Sequence, residues 1–100
     1  MTDKFIPTLK NQIKFLVIDG KRWFDKVNGN TYHSVNVVLN GIQRYIPMTY
    51  GYDSCYIQTA IESLVNDGIF KDFSDWIDWR NENHDKFYIT VSDVKRKGDI

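Results

Sequence analysis

Two Asn-Gly pairs, Asn28-Gly29 and Asn40-Gly41, stand twelve residues apart between segments rich in β-branched and aromatic residues. Asn-Gly suits a type I′ turn, in which both central residues take φ > 0, and that turn's twist matches the strands on either side. Residues 21–52 therefore predict a three-strand meander with two tight hairpins. Two-residue loops set Trp23 opposite Ser34 in the first hairpin, and Leu39 opposite Ile42 and Val37 opposite Arg44 in the second. Because side chains alternate across a strand, His33, Val35, Val37 and Leu39 share one face and read as core. The other face collects Trp23, Tyr32, Ser34, Asn36 and Tyr45. By the same parity Arg22 and Arg44 fall on the core side, so either they snorkel at its rim or a bulge shifts the register.

The flanking segments complete an α+β pattern. Gln12 to Ile18 alternates as a strand, and Asp19-Gly20 either turns the chain or bends one longer strand. Pro47 removes a ladder donor and marks its strand as an edge or as ending there. Asp53 or Ser54 can cap a long helix whose residues Ile57, Ala60, Ile61, Leu64 and Val65 fall on one face. Gly68 can close that helix in a left-handed cap, with Ile69 packed back on Leu64. Residues 72–83 predict a shorter helix capped by Asp72, with Phe73, Trp76 and Ile77 inward, and residues 86–92 alternate as a last strand. The expected fold is an antiparallel β-meander of three to four strands, one long and one short helix, and a C-terminal strand, in a single domain with residues 1–11 and 93–100 frayed.

One hundred residues with 15% aromatics supply more rings than a core of this size needs, so some belong near the surface. The zero net charge argues against bulk phosphate attraction as the main source of affinity. It conceals segregation: residues 1–50 balance to +4, residues 51–85 to −6 and residues 86–100 to +2. The single cysteine, Cys55, excludes an internal disulfide, and no apolar run is long enough to span a bilayer. A cytoplasmic protein without a membrane role is the expectation.

No motif for a metal or cofactor emerges, and neither is expected. His33, Asp53 and Cys55 could form nucleophilic machinery if they converged, but a lone cysteine at a helix start is ordinarily a packing residue. Two binding surfaces carry more. Lys21, Arg22, Trp23, Tyr32, Arg44 and Tyr45 interleave cations and rings as single-stranded nucleic acid requires; the bland alternative is rings closing the sheet's end beside solubilising charges. Asp72, Asp75, Asp78 and Glu82, with Trp76 or Trp79 as an aromatic anchor, could engage the basic groove of a partner protein; the bland alternative is a solvated helix face.

The pattern Arg22-Trp23-Phe24, Gly29-Asn30-Thr31-Tyr32-His33-Ser34-Val35 and Tyr50-Gly51-Tyr52-Asp53 resembles one carried by small uncharacterised proteins encoded by bacteriophages, over roughly residues 13–68. The resemblance implies a non-enzymatic host-takeover or anti-defence inhibitor acting on a host protein that handles nucleic acid. A direct single-stranded DNA or RNA binder is the alternative expectation.

Overall fold

The computed structural model describes residues 12–51 and 54–100, so the N-terminal segment and the Tyr52-Asp53 pair lie outside the described residues. Six main elements follow in order: β1 (Leu16–Asp25), β2 (Asn30–Leu39), β3 (Ile42–Tyr50), α1 (Cys55–Asn66), α2 (Phe73–Glu82) and β4 (Phe87–Val94). They form the expected α+β fold, with one four-stranded sheet in the order β3-β2-β1-β4. The expectation of an antiparallel sheet holds for the meander but not for β4, which pairs parallel to β1. The cause is geometric. β3 ends beside Tyr32, and the chain must return along the helices to reach Leu16 before β4 can begin; a parallel pair needs such a crossover.

The two hairpins differ although both contain Asn-Gly. At Asn40-Gly41 the φ values are 50° and 86°, and Leu39 faces Ile42 as the two-residue loop requires. In the first hairpin Asp25 faces Asn30 and Trp23 faces Tyr32, which corrects the expected pairing of Trp23 with Ser34. The loop is four residues long because Asp25 organises it. Its carboxylate accepts from Val27 N at 3.0 Å, Asn28 N at 3.3 Å and Asn28 Nδ2 at 2.8 Å, while its carbonyl accepts from Gly29 N at 2.7 Å. The slip moves each partner by two positions, so every side chain keeps its face.

Asp19-Gly20 is not a turn: β1 continues through it as one longer strand, the second of the two expected alternatives. Gly20 is needed for space: a Cβ there would lie 2.4 Å from the Tyr56 ring, which packs on the strand from α1. The Asn40 side chain ties the chain ahead of β1 to the second turn. Its Oδ1 accepts from Lys14 N at 2.7 Å and Phe15 N at 3.2 Å, and its Nδ2 donates to Gln12 O at 3.0 Å.

The helices cover one face. Leu16, Ile18, Val35, Val37 and Leu39 from the sheet meet Tyr56, Ala60, Ile61 and Leu64 of α1, all buried. The α1 end matches the expected left-handed cap: Gly68 has φ 82°, and Ile69 N donates to Leu64 O at 3.0 Å. On α2, Trp76 and Trp79 are 0% and 6% exposed, within ring-contact distance of Phe70 and Phe87. Phe73, expected inward, is 42% exposed, because the helix turns its 76/79 edge to the core. The tail expected to fray instead extends β4 to Val94 and forms a short 3-10 turn over Lys97–Asp99.

Candidate nucleic-acid interface

Helices cover one side of the sheet, and the opposite side carries the polar-aromatic set. Alternation along β1 and β2 sends Lys21, Trp23, Tyr32, Ser34 and Asn36 to this open face. β3 contributes Tyr45, opposite Asn36, and Tyr50, opposite Tyr32. Five residues apart, Tyr45 and Tyr50 would point to opposite faces of a regular strand. A bulge between the Val35–Ile46 and His33–Thr49 pairings adds one residue to β3 and brings both rings to one side. Pro47 sits within that bulge, where its missing donor costs no ladder bond.

The rings gather at one end of the face. Trp23 and Tyr32 stack with centroids 5.9 Å apart and planes 24° from parallel, and Tyr50 meets Tyr32 edge-on at 5.7 Å. Tyr50 is 63% exposed, so the cluster presents ring surface to solvent. Beside it the C-terminal segment crosses the sheet and borders a groove of about 970 Å³, lined by Asp19, Lys21, Asn36 and Tyr45 from the strands and by Lys95, Arg96 and Asp99 from the segment. Tyr45 Oη donates to Ile100 O at 3.1 Å, which ties the end of the segment to β3, and within the segment Arg96 pairs with Asp99 at 3.2 Å. On the groove floor Thr90 Oγ1 donates to Asp19 Oδ1 at 2.8 Å. Lys95 and Arg96 escaped the sequence reading because their run looked like a polar tail. The signal that could have found them was the alternation from Phe87, which continues to Val94.

The structure divides the predicted cation-ring set. Lys21, Trp23, Tyr32 and Tyr45 share the open face, whereas Arg22 and Arg44 lie on the helix side. Arg22 makes a two-pronged pair with Asp93, Nε to Oδ1 at 2.7 Å and Nη2 to Oδ2 at 3.2 Å. Arg44 is buried opposite Val37, at the register expected, and its Nη2 lies 2.5 Å from Asp67 Oδ2 at the end of α1. The bulge comes after Arg44 and does not move it, so the arginines are held on the core side by carboxylates rather than by snorkelling.

The acidic set on α2 is also divided. Asp72 is the N-cap, accepting from Asp75 N at 2.8 Å, and Asp75 accepts from Lys71 N at 2.8 Å. These two carboxylates start the helix. Trp76 and Trp79, expected as partner anchors, are core residues, because i, i+3 spacing puts both on the buried edge. Asp78 and Glu82 remain exposed.

His33 is buried beside Gly51. Nδ1 donates to Gly51 O at 3.1 Å, since a carbonyl oxygen only accepts, and Nε2 meets the Thr59 hydroxyl at 2.7 Å. Both ring nitrogens are thereby engaged. Gly51, at φ 154°, lets Cys55 and His33 approach closely: an added Cβ would lie 2.8 Å from Cys55 Cβ and 2.9 Å from His33 Cε1. Asp53, the acid of the suggested triad, lies outside the described residues.

No helix among the described residues is long and apolar enough to cross a membrane. No family model, curated protein or solved structure matches this chain.

Proposed function

We propose that this protein is a non-enzymatic binder of single-stranded nucleic acid, working through the open face of its sheet. The observation that carries the reading is the contiguity of the Trp23–Tyr32–Tyr50 ring cluster with the groove bearing Lys21, Lys95 and Arg96. Single strands bind such surfaces by stacking bases on rings while cations track the phosphates. Asn36, half-buried on the groove floor, offers hydrogen-bonding groups to base edges or sugars. The carboxylates of α1 and α2 belong to the helical side, while the groove sets Lys21, Lys95 and Arg96 beside Asp19 and Asp99, so a polyanion meets the less acidic face there.

The reading fits the phage setting that the Arg22 to Asp53 pattern implies without depending on it. The acidic-helix alternative has less support, because its tryptophans are buried and two of its carboxylates cap α2.

Titration of fluorescently labelled single-stranded DNA and RNA oligonucleotides tests the proposal. Binding should weaken with rising salt and fall in Tyr32→Ala. Intrinsic tryptophan emission should be quenched through Trp23, since Trp76 and Trp79 are buried. Salt-independent binding, or none, would sink the reading. Retention of one host protein after nuclease treatment, without oligonucleotide binding, would favour a protein target instead.

A further inference from the structure

A carboxylate lies on the floor of the groove. Asp19, half-buried on the open face of β1, stands directly opposite Asn36 of β2, which in turn stands opposite Tyr45 of β3; all three line the groove. Asp19 Oδ1 accepts from Thr90 Oγ1 at 2.8 Å, and among the described residues no lysine or arginine forms an ion pair with Asp19. A carboxylate repels phosphate. In a groove that takes a nucleic-acid strand, its favourable contact is therefore with the donors of a base rather than with the strand's backbone. Asp99, the other carboxylate of the lining, is already paired with Arg96.

The side chain next to Asp19 has the opposite polarity. Asn36 Oδ1 accepts from Gln43 Nε2 at 3.0 Å, which leaves its amide N–H groups to the groove. Asn40 N donates to Phe15 O, so odd-numbered residues of β1 and even-numbered residues of β2 form the hydrogen-bonded pairs of this ladder. The Cα atoms of such a pair are about 5.5 Å apart. An acceptor and a donor thus stand side by side, with the Tyr45 ring, 47% exposed, on the far side of the donor.

A base that matches this row presents donors to the carboxylate and an acceptor to the amide. Guanine does so on its Watson–Crick edge, where the N2 amine and N1–H are adjacent donors and O6 follows as an acceptor. A carboxylate has about four lone-pair sites, so the Thr90 bond leaves room for both donors. Adenine, cytosine and thymine or uracil each carry a single donor group on that edge, beside an acceptor that the second carboxylate oxygen repels. We infer that the groove holds a guanine base, with Asp19 accepting from N1–H and the N2 amine and Asn36 donating to O6. The inference rests on the single-strand reading and gives it a base preference.

The test compares labelled oligothymidine strands that each carry one purine. Inosine in place of guanine removes only the N2 amine and should weaken binding about tenfold, the loss of one hydrogen bond to a charged acceptor. 7-Deazaguanine, unaltered on the Watson–Crick edge, should bind like guanine. Asp19→Asn keeps an acceptor for Thr90 and should make guanine and inosine strands bind alike; the ratio is the readout, because removing a negative charge strengthens the attraction of every strand. Equal affinity of the wild-type protein for guanine and inosine, a loss with 7-deazaguanine as large as with inosine, or a preference retained in Asp19→Asn overturns the inference and leaves the single-strand reading standing. Binding to no strand overturns both. Should the variant not fold, the wild-type comparison of guanine, inosine and 7-deazaguanine decides.

Discussion

The two faces of the sheet are made by the same strands and the same alternation, yet they treat their polar groups and rings differently. On the helix-covered face each described arginine is matched to a carboxylate, Arg22 to Asp93 and Arg44 to Asp67, and His33 has both nitrogens engaged. Rings there interlock, with Trp76 against Phe70, Trp79 and Phe87. On the open face the rings touch one another with no layer of described residues above them, and Lys21 stands exposed beside a groove. Burial accounts for the composition of the first face. It does not account for tryptophan and tyrosines on the second, and that surplus is what makes the open face the candidate for function.

The contrast breaks most severely where the covered face is emptied. Trp76→Ala should cost about 3–5 kcal/mol in urea unfolding, the range for removing a large buried ring. Asp67→Ala should cost a similar amount, roughly 3–5 kcal/mol, by leaving Arg44 buried without this carboxylate. The double variant Arg44→Met/Asp67→Leu should recover most of that loss, because it removes both charges together. Tyr32→Ala sharpens the comparison from the other side. It should reduce oligonucleotide affinity by about 1–3 kcal/mol, the range for one stacked base, with a smaller effect on stability than Trp76→Ala. Asp93→Ala should change stability by only about 0.2–1 kcal/mol, since its carboxylate is 73% exposed and water screens the pair.

The smallest effect concerns acid. The Asn28 side chain, followed by the Asn28 and Val27 backbone N–H groups, holds the Asp25 carboxyl below its ordinary range. A carboxyl lowered by folding stabilises the native state above its unfolded pKa and loses that contribution as pH falls through the folded value. Asp25→Asn should therefore flatten the acid limb of the stability profile by slightly lowering stability in the neutral region while leaving the acid end nearly unchanged.

The division into faces was legible in sequence because it depends on parity alone. It survived even the two-position slip in the first hairpin, where Asp25 outcompeted the turn preference of Asn28-Gly29 by offering its carboxylate to nearby N–H groups. The positions of Arg22 and Arg44 were legible too, but not their neutralisation, because Asp93 and Asp67 come from distant parts of the chain. The parallel placement of β4 depends on where two helices deliver the chain, which no local pattern encodes. The α2 tryptophans show the limit of composition: aromatic residues in an acidic run suggested an anchor, while their spacing of three placed them in the core. Tyr50 joined the ring cluster only through the bulge, for which Pro47 was the one sequence signal.

The Asn40 side chain bears on the order of assembly. Its amide can reach Gln12, Lys14 and Phe15 once the turn at Asn40-Gly41 has closed, and that turn joins neighbouring strands, so it can form within about 1–10 μs. The finished turn then acts as a template that captures the start of β1. β4 must instead close a loop running from Leu16 to Phe87 before it gains a single pairing. The second hairpin is thus the early part of the native structure and the parallel edge the late one, and β4 amides should exchange with solvent deuterium before those of β2.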